Sequence, residues 1–385
     1  NNTRQEVIRV DFDATRDWKL IGRYTHDLSE TQEPGGLFFG VAVPNVANTD
    51  TAVPGQVAAF EMRNTWSSLL NELKYQFSSN KITNSTPDFV RNTRSQFGIT
   101  TTELYPENNA DRIPTIVISG LSTFGATQGF RNEYFNHTLS NTSTWLRGQH
   151  AFKGGILFAF ESKNEFSNNE TQGRYTFAAG GGRTAFQNFL TGNRDQACGS
   201  PCTYAEPLTD IYSQMRFNRY EAFIQDTWRP TSRLTVDLGV RYALYPAVTD
   251  ADNVLSNVDL SRYDRANAPT PANATATQFL IGTGDPLNGI IVAGQNSPFG
   301  DKIYETDKNN FMPRVGLTYD PVGDGRTILR TGYGLYYDQA LVGIFLQNAF
   351  INPPFSASAT VTNPVLGDPA AGIPPTARAP RPTRC

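Results

Sequence analysis

Residues 234–245 read LTVDLGVRYALY, and their alternation decides the fold. Leu234, Val236, Leu238, Val240, Tyr242 and Leu244 make one face; Thr235, Asp237, Gly239 and Arg241 make the other. A period of two belongs to a β-strand, whose successive side chains point to opposite faces. Just upstream, Tyr220, Ala222 and Ile224 alternate with Arg219, Glu221 and Gln225. Between the two runs lies RPTSR at 229–233, where Pro230 has no N–H to give a ladder. The spacing predicts a hairpin with a short polar turn.

The same unit recurs along the chain. Ile8, Val10 and Phe12 alternate with Arg9 and Asp11, then turn through DATR at 13–16 into Trp18, Leu20 and Tyr24. Residues 57–65 turn at Trp66–Ser68 into Leu73, Tyr75 and Phe77, opposed by Glu72, Lys74 and Gln76. Residues 133–146 turn through RGQHA into Phe152, Ile156, Phe158 and Phe160, opposed by Lys153 and Glu161. Val315, Leu317 and Tyr319 turn through DPVGDGR into Leu329, Tyr333, Leu335 and Tyr337, opposed by Arg330, Gly332 and Gly334. Within each hairpin the turn is short. Between hairpins the chain runs through long polar stretches, about 26–56, 79–113, 166–214 and 246–310. Compact soluble domains rarely hold loops of that length. Transmembrane β-barrels have this asymmetry, with short periplasmic turns and long extracellular loops. Trp18, Tyr24, Trp66, Tyr75, Trp145, Trp228, Tyr242 and Tyr337 lie near strand ends, as aromatic girdles do. The pattern predicts an all-β chain: part of an antiparallel transmembrane β-barrel in a bacterial outer membrane.

Composition agrees and closes other routes. The net charge is −3 over 385 residues, so there is no basic footprint for nucleic acid. Mean hydropathy is −0.41, and no apolar run reaches the ~18 residues a spanning helix needs. A barrel escapes that objection because only alternate residues of each strand meet lipid. His26, His137 and His150 are scattered, and no zinc-ligand spacing occurs. Asp11, Asp13 and Asp17 imitate a calcium loop without its glycine and final glutamate, and read as a solvated turn. GGGR at 180–183 lacks a following Lys-Ser/Thr and is no phosphate loop; it reads as a flexible outer loop before AFQNFL. No GxSxG elbow and no placed carboxylate pair points to hydrolysis, so no catalytic residue, metal site or cofactor is expected. Cys198 and Cys202, in CGSPC, are a candidate loop disulfide, with two free thiols the open alternative. Arg219, Glu221, Asp237, Arg241 and Arg330 are candidate lumen-facing residues, most of them expected to pair across neighbouring strands.

Four segments add a family resemblance. RYEAFIQDTWRPTSRLTVDLGVRY at 219–242 resembles the "QD-W … LTLNLGLRY" hairpin of TonB-dependent outer-membrane receptors. NNFMPRVGLTYDPVGDGRTILRTGYGLYYD at 309–338 is similar to the "F-PR-G-AYD … R-GYG-FYD" hairpin of their Oar-like branch. HAFKGGILFAF at 150–160 and LLNELKYQFSSN at 69–80 resemble that branch's "H-FK-G" and "NE-R-GY-RN" strands. The resemblance implies a barrel of about twenty-two strands around a plugged lumen. It also implies uptake of a large or scarce solute with energy from TonB, which is contacted through an N-terminal plug. Some Oar-like members are instead linked to adhesion or surface development.

About ten strands are visible, no plug is seen before Asn1, and the chain closes on PPTARAPRPTRC. The expectation is a barrel fragment over residues 1–350, followed by a truncated Pro/Ala-rich loop at 351–385. Its expected partners are outer-membrane lipid, TonB and an unidentified solute. The rival on the same barrel is an adhesion or scaffold protein. A more distant rival is a secreted β-sandwich that binds polysaccharide.

Overall fold

The structure is a computed structural model that describes residues 1–34, 48–108, 111–121, 123–125, 129–167, 170–192, 202–271, 283–339, 352–356 and 358–371. Its strands, in chain order, are β1 (Asn2–Asp13), β2 (Trp18–Glu33), β3 (Thr49–Trp66), β4 (Leu69–Ser85), β5 (Thr115–Ile118), β6 (Phe130–Arg147), β7 (His150–Ser167), β8 (Arg174–Phe177) and β9 (Cys202–Pro207). There follow β10 (Ile211–Arg216), β11 (Arg219–Thr231), β12 (Leu234–Leu244), β13 (Thr249–Asp250), β14 (Ser256–Val258), β15 (Ile290–Val292), β16 (Phe311–Tyr319), β17 (Leu329–Gly334) and β18 (Ser358–Thr362).

Twelve of these build one antiparallel sheet, ten of them in the order β1-β2-β3-β4-β6-β7-β11-β12-β16-β17, with β10 pairing to β7 and β13 to β10 off that path. The five hairpins expected from the sequence are all present, and sequential hairpins are also neighbours in space. The register carries one side-chain parity across the whole sheet. One row, for example, runs Leu69↔Trp145↔Phe152↔Asp226↔Leu238↔Val315. A slip of one residue anywhere would turn a strand's apolar side chains to the opposite face.

Turn chemistry fixes the hairpin ends. β3 and β4 join through Ser67–Ser68, with Ser67 at φ 50°, and β6 and β7 through Gly148–Gln149, with Gly148 at φ 60°. Left-handed backbone at such positions matches the twist of the paired strands. After β16, Asp320 accepts the backbone N–H groups of Gly323 (2.6 Å) and Gly325 (2.9 Å), which hold its carboxylate below the usual range. Pro230 lies inside β11 rather than in the turn: the register shifts between Trp228 and Thr231, and that bulge accommodates the missing N–H.

The strands run further than expected. β3, β6 and β7 each have 18 residues, against the ~9–11 that cross a bilayer. They continue beyond the membrane into stretches read from the sequence as loop, where neither face must be apolar and the alternation fades. β10 pairs with the far half of β7 and β11 with the near half, so the two form one interrupted edge. At the interruption Phe217 leaves the sheet and is buried with Met215, Val248, Leu255, Ile291, Ala293 and Ile303.

The connections themselves are folded into a cap. A second sheet has the order β18-β9-β8-β5, with β5 parallel to β8, and β14 pairs with β15. Helix α1 (Arg94–Phe97) starts with a capping box from Thr93 and Gln96. Helix α2 (Ala185–Leu190) starts with one from Thr184 and Gln187. The segment AFQNFL is thus a short helix, and Gly180 and Arg183 bridge in the turn before it. Leu104, Tyr105, Tyr175, Phe177, Tyr204 and Leu208 form the cap's own core.

Candidate functional site

The large sheet has two chemically opposite faces. One displays large apolar side chains to its surroundings, including Ile8, Val10, Phe12, Phe60, Ile156, Phe160, Ile224 and Leu238, each more than two-fifths exposed. All four tryptophans sit on this face at the short-turn ends: Trp18, Trp66, Trp145 and Trp228. Trp18 and Trp66 meet edge to face at 5.9 Å. His150 stacks on Phe152 (5.3 Å) and Trp228 (5.7 Å) and reaches Asp226 at 2.7 Å. Six to eight residues up the strands a second aromatic row holds Tyr75, Phe77, Phe158, Phe160 and Tyr220, where Tyr75 Oη lies 2.9 Å from His137 Nδ1. At ~3.3 Å per residue and a tilt near 40°, the two rows stand about 15–20 Å apart, inside the ~25 Å apolar band of an outer-membrane barrel. A sandwich would cover this face with a second sheet; among the described residues nothing covers it, so the sandwich alternative is overturned.

The other face is polar, and its charges pair across strands. On β1–β4, Lys19 bridges Asp11 (3.9 Å) and Asp13 (3.8 Å), Arg63 bridges Glu61 and Glu72 (3.1 Å to the latter), and Lys74 reaches Glu61 at 3.2 Å. On β7–β12 the ladder runs Glu161, Arg219, Glu221, Arg241. Arg219 is 3.9 Å from Glu161 and 3.3 Å from Glu221, and Arg241 closes on Glu221. Tyr134 Oη donates to Glu161 at 3.1 Å. All five candidate lumen residues share this face by register, and three of them are brought together. Arg219, Glu221 and Arg241 are joined, and Asp237 accepts Thr227 Oγ1 at 2.6 Å instead. Arg330 shares the face by register, opposite Thr318, and no acidic group pairs with it among the described residues. Arg314, not singled out from the sequence, lies on the same wall with its guanidinium 4.6 Å from the Tyr336 ring. Its signal was available, since it alternates with the apolar Val315 and Leu317. In hydrocarbon such charges would be costly, so this face belongs to water.

The cap contains a second group that sequence reading missed. Glu206 is fully buried and accepts three hydrogen bonds, from Leu104 N (2.7 Å), Tyr105 N (2.8 Å) and Tyr204 Oη (2.9 Å). Arg94, also buried, donates to the carbonyls of Arg112 (3.0 Å), Thr101 (2.8 Å) and Gln172 (2.6 Å) and lies 3.3 Å from Glu103. Burial pushes the carboxyls of Glu206 and Glu103 up, against the pull of these donors and of Arg94, and pushes the Tyr204 hydroxyl up as well. Gly173 sits at φ 85° below the Tyr204 hydroxyl, where a Cβ would collide. These residues tie the connections 94–113 and 170–174 to β9. Cys202, the first residue of β9, is disulfide-bonded; Cys198 lies outside the described residues. No group of three or more His, Cys, Asp or Glu side chains is placed to hold a metal among the described residues.

The sequence matches the family model described as outer membrane beta barrel domain over residues 1–384. No curated protein matches it. Among solved structures it is similar to the outer membrane transporter YddB from Escherichia coli (9% identity, TM-score 0.49, covering 93% of this chain and 34% of that one). It is also similar to the copper transporter OprC (11%, 0.45, 86% and 36%) and to the siderophore receptor PiuA from Acinetobacter baumannii (10%, 0.36, 87% and 42%). The chain spans about a third of the length of YddB and of OprC. The chain belongs to the outer membrane beta barrel domain family, and its place is the bacterial outer membrane.

Proposed function

We propose that the chain is the barrel portion of a TonB-dependent receptor of the Oar-like branch, which takes up a large or scarce solute and performs no catalysis. Within residues 1–350 the large sheet supplies the barrel wall and the shorter strands the cap, and β18, from the Pro/Ala-rich stretch that follows, joins the cap sheet. TonB engages through a plug region N-terminal to the barrel. The observation that carries this reading is the polar wall. The sheet lines its inner side with cross-strand ladders of paired charge. Pairing keeps the wall wet and nearly neutral, as a passage for a bulky solute requires. The four motif resemblances, spread over residues 69–338, supply the branch.

A second reading, adhesion or scaffolding, is favoured by the cap, whose buried cores make a fixed outward surface. The test is binding of the full-length protein, in detergent, to the purified periplasmic domain of TonB from the same cell. Saturable binding is expected. Absence of binding would shift the assignment to the adhesion reading.

A further inference from the structure

Two polar groups interrupt the lipid face among the described residues: the His150–Asp226 pair on β7 and β11, and a patch on β3, β4 and β6. By register, Trp18, Asn64, Asn71, Ser143 and Gly154 form a row one step inside the Trp66–Trp145 row, and Asn141 lies one step further in. Elsewhere at these two levels the outward residues are mostly apolar: Leu20, Met62, Leu73, Ile156, Ile224 and Val240. Polar side chains inside the girdle are costly unless they find partners.

The hydrogen bonds leave a defined remainder. Asn71 Nδ2 spends both hydrogens, on Asn141 Oδ1 (3.1 Å) and Ser143 Oγ (2.8 Å). Asn141 Nδ2 returns one to Asn71 Oδ1 at 3.2 Å. Two donors are left over among the described residues: the second hydrogen of Asn141 Nδ2 and the Ser143 hydroxyl hydrogen. Beside them Asn64, 1% exposed, has no partner for either its amide nitrogen or its amide oxygen. On the other side Gly154 continues the row without a side chain. One row nearer the turn, the Arg147 guanidinium lies 5.2 Å from the Trp145 ring centroid, at the level where headgroups begin.

We propose that this polar patch binds one diacyl phospholipid of the leaflet on the short-turn side. Arg147 takes its phosphate, Asn141 and Ser143 donate to its two ester carbonyls, and its chains lie over Leu73, Leu139 and Ile156. The order along β6 runs cation, aromatic ring, amide donors, apolar surface, and a phospholipid presents its groups in the same order. Charge favours lipid over a second copy of the chain, because the outward carboxylate near Arg147, Asp226, is already held by His150 and leaves the guanidinium to an anionic headgroup. Width favours it too. The polar strip spans only β3, β4 and β6, whereas a stable protein contact needs roughly 800 Å² from each partner.

The test uses the full-length protein extracted from outer membranes in mild detergent, delipidated, and then exposed to nanodiscs of phosphatidylethanolamine and phosphatidylglycerol. Native mass spectrometry reads the fraction that carries one phospholipid. Wild type is expected to retain one. Arg147→Gln, and separately Asn141→Leu with Ser143→Ala, are expected to lower retention about tenfold, as loss of one charge-assisted contact or of two neutral ones implies. Arg147 lies next to the turn outside the apolar band, so the proposal stays testable even if the double variant fails to assemble. Equal retention in Arg147→Gln and wild type overturns it. A wild-type dimer that the variants convert to monomer also overturns it, in favour of a second copy as the occupant.

Discussion

Replacing Glu206 by alanine should open the cap and leave the barrel wall intact. The carboxylate is fully buried and is the acceptor for Leu104 N, Tyr105 N and Tyr204 Oη. Each donor left unpaired away from water costs about 1–3 kcal/mol. Water entering the vacated volume recovers part of this, so we expect a net loss of about 3 kcal/mol. The loss falls on the contact between the connection 94–113 and β9, not on the sheet ladders. Hydrogen exchange read by mass spectrometry on the detergent-solubilised protein measures it directly. Amides in 99–108 and 202–208 should exchange roughly a hundredfold faster, since about 1.4 kcal/mol is a decade. The β6–β7 hairpin should keep its protection. Unchanged exchange in the cap, or an equal rise in β6–β7, would refute the reasoning.

The same carboxylate gives a pH dependence. Burial raises Glu206 and Glu103 above the ordinary value of 4.5, so the folded cap favours their neutral form. Their contribution is fully present below that ordinary value and fades as pH rises through the raised one. Cap exchange, corrected for intrinsic rate, should therefore increase over that window, and Glu206→Gln should flatten the dependence. On the inner wall, Glu221→Ala strips two arginines of their shared partner; with both guanidinium groups a third exposed, we expect a loss of about 2 kcal/mol, seen as a lower temperature of the gel-mobility shift on heating. At Gly155 an added Cβ would lie 2.6 Å from the Phe223 ring and 2.7 Å from the Asn141 carbonyl, so Gly155→Ala should cost about 2 kcal/mol or more and reduce the yield of assembled barrel. Ser67 holds φ 50° in a two-residue turn, so Ser67→Gly should stabilise the β3–β4 hairpin by about 0.5–1 kcal/mol, read as a higher urea midpoint.

The wall of the barrel is legible in the sequence because each strand obeys a local rule. Leu234 to Leu244 must satisfy lipid on one side and water on the other, and alternate residues record it. The pairing of Arg219, Glu221 and Arg241 follows once adjacent strands share parity. The cap obeys no such rule. β5 pairs with β8 across about sixty residues and β9 with β18 across about one hundred and fifty, in strands of four to six residues too short to show a period. Glu206 and Arg94 are single charges between unremarkable neighbours, and only the fold reveals that both are buried. Two local signals in this region were available: the Thr93–Gln96 and Thr184–Gln187 capping boxes announce both short helices.

The central claim is that one face of the large sheet meets lipid and the other meets water. Single spin-labelled cysteines placed in turn at residues 152–161 of β7, with the native cysteines replaced, test it in the outer membrane. The account predicts a period of two, with labels at Phe152, Ile156, Phe158 and Phe160 relaxed by oxygen, and labels at Lys153, Leu157 and Glu161 relaxed by a water-soluble nickel chelate. Relaxation by the chelate at every position, with no alternation, would contradict it.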